Sequence, residues 1–366
     1  MVMLMKKVCI ITWHQYYNYG SQLQAYALVK ILRNQGFDAH ILNYNKNETK
    51  KVLSLKLRCA LGMVVAKSNI QKIQRFRYPW LRYQQKYLFL TRPVSIDDLK
   101  QEASKYDVIV CGSDQIWAPN VFNSIYMADF ISGKDIRKIS YAASIGLKYI
   151  PDSLVLTYQQ LLSDFYAISI REDEGAFLLK SRIGVEAQVV LDPTLLLDKD
   201  NYIKIEAKPL RIYSQFGFCY FLNKNHWYKD LVQQYAKEHN ITLIGFSANA
   251  DDSSWIISVD QCGPREFLWY IHHAKIVFTD SYHGTIFSLI YHTQFYTFQR
   301  FAEDDPINQN SRIIQLNRYF NICSRMCGPE TIILKDEVYD YKGFDSLIDQ
   351  LRKESIKYLV EAIDNA

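Results

Sequence analysis

No apolar run in this 366-residue chain reaches the roughly 20 residues a bilayer-crossing helix needs. The first residues, Met1 to Lys7, lead straight into a strand and lack the apolar core and cleavage site of a secretory leader. A soluble, cytoplasmic protein is therefore expected, one that still has the means to touch the inner face of a membrane. A disulfide frame is missing as well. The seven cysteines (9, 59, 111, 219, 262, 323 and 327) are odd in number, scattered, and partly inside predicted strands such as Val8-Cys9-Ile10, which is the pattern of reduced thiols. Only Cys323 and Cys327 lie close together, and no second ligand pair stands near their C-x3-C spacing, so no metal site is expected. The G-x-G-x-x-G fingerprint is absent, which argues against a dinucleotide. Neither a solenoid-period repeat nor a low-complexity tract is found. The formal charge of +5 is mild and excludes little, and no nucleic-acid partner is expected.

What is there is material for two cores. The length exceeds what one compact core accommodates, and 49% of the residues are apolar. The reading is α/β: two Rossmann-like domains with parallel sheets, residues 1–207 and 208–366, the second closing with an amphipathic helix from Asp345 to Ile363. Tyrosine (27) and phenylalanine (19) are plentiful; tyrosine-rich surfaces often line sugar sites, though composition alone does not decide it. Residues 46–92 differ in kind, with twelve Lys or Arg against the single acid Glu48. Such a basic helical insertion suits an anionic membrane or a diphosphate carrier. It equally suits a solvated helical pair whose lysines cover their own apolar face.

The chain opens as strand (Lys7 to Thr12), polar aromatic loop (His14 to Gly20) and helix (Ser21 to Gln35), then a strand at Ala39 to Leu42. Asn18, Gly20 and Ser21 thus occupy the turn where such folds keep their working residues. Later strands end in Gly112-Ser113-Asp114, in Ser144, in Arg171-Glu172-Asp173 and in Asp192-Pro193. In parallel sheets ligands bind at the carboxyl ends of strands, so Asn18, Asp114, Ser144, Arg171, Asp192 and His283 are expected along one rim, with the site in the cleft between domains.

Residues 276–296 are the most telling. A buried strand, Ile276 to Thr279, breaks at Asp280-Ser281-Tyr282-His283-Gly284 and resumes as an apolar helix from Thr285. Free N–H groups and the positive end of the dipole make a helix start an anion pocket. His283 brings an imidazole able to carry a proton near neutral pH. An ordinary N-cap, Asp280 or Ser281, explains the same residues.

Seven stretches in order carry a resemblance: NYGSxLQAYAL (18–28), VCGSDQIW (110–117), SYAASIG (140–146), ISIRED (168–173), VLDPTLL (190–196), FTDSYHGT (278–285) and NSRI (310–313). With these the chain resembles the polysaccharide pyruvyl transferase family. The resemblance implies a glycosyltransferase-B-like fold and transfer of pyruvate from phosphoenolpyruvate to two sugar hydroxyls, with release of phosphate. Phosphoenolpyruvate is then a co-substrate and no cofactor is called for. The acceptor is a sugar, free, polymeric or lipid-diphosphate-linked. Arg171 resembles the family's donor-binding arginine, and a guanidinium fork suits both anions of the donor. His283 or Asp114 would move protons, while Ser281, Gly284, Arg312, Asn18, Gly20, Ser144 and Asp192 would line the substrates, Asp192 mainly by stabilising a turn. Many members read S-R-L-H-G where this chain has D-S-Y-H-G. Ser281 therefore stands where an arginine is usual, and Arg312 or Arg300 is expected to supply the cation. Two other readings remain: a glycosyltransferase of the same architecture using a nucleotide-sugar donor, and a non-catalytic glycan- or lipid-carrier-binding protein.

Overall fold

The computed structural model describes residues 5–44, 69–131, 136–223, 227–247, 254–259 and 261–366. Most of the basic stretch, 46–68, lies outside the described residues. The chain divides into two units, Met1–Leu197 with Gln350–Ala366, and Asp198–Asp349.

Unit 1 holds β1 (Lys7–Ile11), α1 (Tyr19–Asn34), β2 (Asp38–Ile41), α2 (Asn69–Tyr87), α3 (Leu99–Ala103), β3 (Val108–Cys111), β4 (Arg137–Ser140), α4 (Asp152–Leu162), β5 (Phe165–Ala167), β6 (Ser169–Ile170), α5 (Asp173–Leu178), β7 (Gln188–Val189) and α6 (Pro193–Leu196). Its main sheet runs β2-β1-β3-β4-β5, with parallel pairings throughout. Val8 to Ile11 and Val108 to Cys111 are buried along their whole length, as strands covered on both faces must be. β6 pairs with β7 in a separate ribbon. Single parallel bridges from Asp114 to Ala143 and from Ala143 to Ile170 carry the side-by-side course past the strand ends. That continuation aligns the polar ends of β3, β4 and β6.

Unit 2 holds α7 (Lys199–Ile203), β8 (Phe216–Phe221), α8 (Lys229–Glu238), β9 (Thr242–Ser247), β10 (Ile257–Ser258), α9 (Pro264–His273), β11 (Ile276–Thr279), α10 (Tyr282–Tyr291), β12 (Phe295–Phe298), α11 (Ser311–Phe320) and β13 (Met326–Cys327). The sheet order is β10-β9-β8-β11-β12-β13. Renumbered within the unit this is 3-2-1-4-5-6, the doubly wound order, whose direction of winding reverses between β8 and β11. Aromatic packing fills its core: Phe221 stacks on Tyr228 at 4.4 Å, and Phe218 on Tyr270 at 5.4 Å.

The last helix, α12 (Lys342–Asp364), starts in unit 2 and ends in unit 1. Sequence reasoning divided the chain at 207 and gave the second domain everything after it. The contacts of α12 explain the difference. Arg352 donates from Nε to the Leu195 carbonyl at 2.6 Å and from Nη2 to Leu197 at 3.2 Å. Ser355 accepts from the Leu191 amide at 3.1 Å, and Lys6 Nζ reaches the Ile363 and Asp364 carbonyls at 2.8 and 2.9 Å.

Five of the described cysteines are buried and Cys323 is exposed, all as free thiols. Burial pushes the Cys111 and Cys327 thiols up to about 12, so neither is a ready nucleophile. No helix among the described residues is long and apolar enough to cross a membrane.

Candidate functional site

In unit 1 the polar residues at the strand ends condense into one buried cluster. The turn after β3 forces this arrangement. Gly112 has φ +140, and a Cβ there would stand 2.0 Å from the Tyr141 carbonyl oxygen, so only glycine lets the two strand ends approach. Two residues on, Asp114 has φ +76, a region where aspartate is among the tolerated residues. Its carboxylate accepts from Ser21 Oγ at 2.5 Å, from the Gln115 amide at 2.9 Å and from Arg171 Nη2 at 3.3 Å. Ser21 lies in the first turn of α1, a helix capped by Asn18, whose side-chain oxygen accepts from the Ser21 amide at 3.0 Å. Gly20, the second residue of that helix, is buried.

Arg171 is wholly removed from solvent. Nη1 meets Asp192 Oδ2 at 2.6 Å while Nη2 meets Asp114. Asp192 in turn caps α6, its Oδ1 accepting from the Thr194 amide at 2.9 Å and from Thr194 Oγ1 at 2.6 Å. Beside them Ser144 Oγ donates to Glu172 Oε1 at 2.5 Å, and the Gly146 amide adds a second donor at 2.8 Å. Asn18, Gly20, Asp114, Ser144, Arg171 and Asp192 are thus gathered at the carboxyl ends of the strands of unit 1. The guanidinium expected to receive a donor anion pairs here with two protein carboxylates.

In unit 2 the corresponding edge lies where the winding reverses. Asp280 is no helix cap. Its carboxylate accepts from the Leu222 and Asn223 amides, each at 2.7 Å, and so fastens the loop after β8 to the end of β11. Burial pushes this carboxyl above the ordinary range, against the pull of the two amides and of Arg300. Ser281 is the cap of α10, accepting from the Gly284 amide at 3.4 Å. A Cβ on Gly284 would lie 2.4 Å from Thr279 Oγ1, the hydroxyl that donates to the Tyr220 carbonyl at 2.7 Å and accepts from the Ser281 amide at 3.0 Å. His283 sits in the first helical turn, buried, with its ring edge-on to Tyr282 at 5.2 Å. The Arg312 guanidinium lies over the same Tyr282 ring at 5.5 Å and donates to Gln309 Oε1 at 2.6 Å. The tyrosine therefore links the arginine of α11 to the helix start of α10, where the expected arginine is serine. Arg300 packs over Phe301 at 4.9 Å, and its charge bears on Asp280.

Sequence reasoning expected no metal-ligand cluster, and here the fold differs. Glu206, His272 and His273 bring ligand atoms within 4.8 Å of one another. Glu206 is 66 residues from His272, which hides the group from any spacing motif. His272 Nδ1 is engaged with the Glu206 carboxylate at 3.1 Å, and the charge of Lys199 bears on both. A bound cation would have to displace that bond beside a lysine.

With the geometry in place, the comparisons decide the family. A model of polysaccharide pyruvyl transferase matches residues 18–300. The chain belongs to the polysaccharide pyruvyl transferase family. Membership makes it a transferase whose acceptors are sugars or polysaccharides. No curated protein matches the sequence significantly. Among solved structures, this pyruvyl transferase family member is similar to the UDP-GlcNAc 2-epimerase of Neisseria meningitidis bound to UDP-GlcNAc, with a TM-score of 0.55, 9% identity, and coverage of 99% of this chain and 100% of that one. It is also similar to a putative UDP-N-acetylglucosamine 2-epimerase from Listeria monocytogenes, with a TM-score of 0.50, 10% identity, and coverage of 99% and 90%. At such identities the likeness concerns the fold. Each unit is Rossmann-like, and the pair of domains is of the glycosyltransferase-B type.

Proposed function

We propose that this protein moves the pyruvate unit of phosphoenolpyruvate onto two hydroxyls of a sugar, forming a ketal and releasing phosphate. The observation that carries the reading is the first turn of α10. A capped helix start, His283 and, through Tyr282, Arg312 come together there, and the turn itself lies inside the span matched by the family. Helix amides and a guanidinium suit a small dianionic donor.

In the reaction the methylene carbon of the donor gains one proton and becomes a methyl group. One sugar hydroxyl adds to the neighbouring carbon and gives up its proton. The bond from that carbon to phosphate oxygen then breaks, the second hydroxyl closes the ring, and its proton leaves with phosphate. His283 is the residue in this turn suited to passing protons. Asp114, held by Ser21, Gln115 and Arg171, is the second candidate. In this reading Arg171 sets the carboxylates around it and so positions Asp114. Phosphoenolpyruvate is the co-substrate, with no cofactor. The acceptor belongs to a surface polysaccharide or its lipid-diphosphate-linked precursor, met at the inner face of the membrane. The twelve cations of 46–92 support contact with anionic lipid there.

The test is to incubate the purified protein with phosphoenolpyruvate and a panel of sugar acceptors. Phosphate release matched by a mass gain on the sugar is the expected result. Thermal stabilisation by UDP- or GDP-linked sugars, without any by phosphoenolpyruvate, would move the assignment to nucleotide-sugar transfer.

A further inference from the structure

The loop between β1 and α1 presents two tyrosines to solvent in a fold that buries most of its aromatics. Tyr16 is 56% exposed and Tyr17 44%. Exposure alone means little, but these rings are held. Trp13 meets Tyr16 edge-on at 5.5 Å, and the fully buried Trp80 meets Tyr17 edge-on at 5.6 Å. The Arg77 guanidinium lies 5.6 Å from the Tyr17 ring.

The backbone beneath is equally constrained. Gln22 Nε2 donates to the carbonyls of His14 and Tyr16, and Gln84 Nε2 donates to His14 as well, at 2.9 Å. The buried His14 ring bonds to the Thr12 carbonyl and to Asn43 Oδ1 at 3.1 and 3.3 Å. A rigid loop carrying exposed aromatic surface has lost its ordering entropy already, which favours binding. It stands at the carboxyl end of β1, beside the reversal between β1 and β3 where ligands of such sheets bind, and leads into the helix whose Ser21 bonds Asp114.

We propose that Tyr16 and Tyr17 form a platform for a pyranose ring of the acceptor. The inference rests on the sugar-directed transfer proposed above and deepens it. A sugar has an apolar C–H face and a rim of hydroxyls. A tyrosine offers a flat apolar face and a phenol, so it matches both parts, and Arg77 adds donors at the border.

Saturation-transfer NMR with methyl glycosides of glucose, galactose and mannose tests the platform without any turnover. Irradiating the aromatic protons should carry saturation to ring protons of at least one glycoside. Tyr16→Ala with Tyr17→Ala should abolish that transfer, and Tyr16→Phe with Tyr17→Phe should keep it, all with the parent's far-UV circular dichroism. Loss of one ring should raise the acceptor KM on the order of ten-fold and leave the phosphoenolpyruvate KM unchanged. Transfer that persists in the double alanine variant, or is absent from the parent with all three glycosides, overturns the platform. Saturation transfer without phosphate release from phosphoenolpyruvate would instead count against the reaction and leave the platform standing.

Discussion

Arg171 and Asp192 meet at 2.6 Å with both side chains wholly out of solvent, and the same guanidinium reaches Asp114 at 3.3 Å. A buried cation between two carboxylates is an organiser first. Its removal leaves two negative groups facing each other in a medium that solvates them poorly.

Arg171→Ala should therefore lower stability by about 3–5 kcal/mol, the usual cost of breaking a buried pair. Urea unfolding measures it. Arg171→Lys keeps the charge but not the fork and should fall between. Where the alanine variant remains folded, donor affinity and turnover should fall together by roughly 2–4 kcal/mol. Unchanged kinetics would remove Arg171 from the site and leave it a purely structural residue.

Gly284→Ala should cost about 1–3 kcal/mol through overpacking, because the new methyl group meets Thr279 Oγ1 at 2.4 Å. Thr279→Ser in the same chain removes one crowding methyl and should recover little, since the hydroxyl is the nearest atom. Thr279→Ala should recover more. Equal melting temperatures for the parent and Gly284→Ala would show that the turn has slack.

His283→Gln should leave phosphoenolpyruvate binding close to the parent's and reduce turnover by roughly 10²- to 10⁴-fold, the range for loss of a positioned proton carrier. Arg312→Ala should act differently, raising the donor KM. Phosphate-release kinetics separate the two. A His283→Gln variant with parental turnover would hand the proton transfers to Asp114.

His239 and Asp336 pair at 3.2 Å near the surface. The Tyr235 carbonyl first, then Asp336, holds the His239 imidazole above its ordinary value, and His239 holds the Asp336 carboxyl below its own. The folded chain thus binds the imidazole's proton more tightly than the unfolded chain, so that contribution is complete below the unfolded histidine value and disappears as pH rises through the raised one. The carboxylate's contribution disappears as pH falls through its lowered value. His239→Gln should therefore be more destabilising near pH 5.5 than near pH 8.5. A deficit independent of pH would reduce the contact to ring stacking on Tyr235.

Neutralising Lys50, Lys51, Lys56 and Arg58 should weaken sedimentation with anionic vesicles and spare turnover on a soluble acceptor. Unaltered sedimentation would retire the membrane contact.

Much of the fold is legible in the residues because parallel strands announce themselves as short apolar runs that end in polar turns. Residues 264–273 and 276–279 are helix and strand with the bounds that pattern suggests. Helix α10 starts at Tyr282 rather than Thr285, since Ser281 caps it and so Tyr282, His283 and Gly284 join the first turn. The first strand of unit 2 runs over Phe216–Phe221. Its hydrophobic continuation, Cys219 to Phe221, outweighs the mixed residues before Gln215. Helix α11 is not legible in the sequence because its polar residues obscure the apolar face formed by Leu316 and Phe320. Contacts set by distant partners were out of reach. Asp280 reads as a cap until Leu222 and Asn223, 58 and 57 residues away, are brought to it. Arg171 reads as an anion hook until Asp114 and Asp192 enclose it.

Helix α12 carries one more implication. The first unit is begun earliest on the ribosome and finished last, because Arg352 and Ser355 reach Leu191, Leu195 and Leu197 only after all of the second unit has emerged. Trimming residues 350–366 would thus damage the half of the protein that lies farthest from the cut in sequence, and a nascent chain halted at 349 would hold a completed later domain beside an unfinished earlier one.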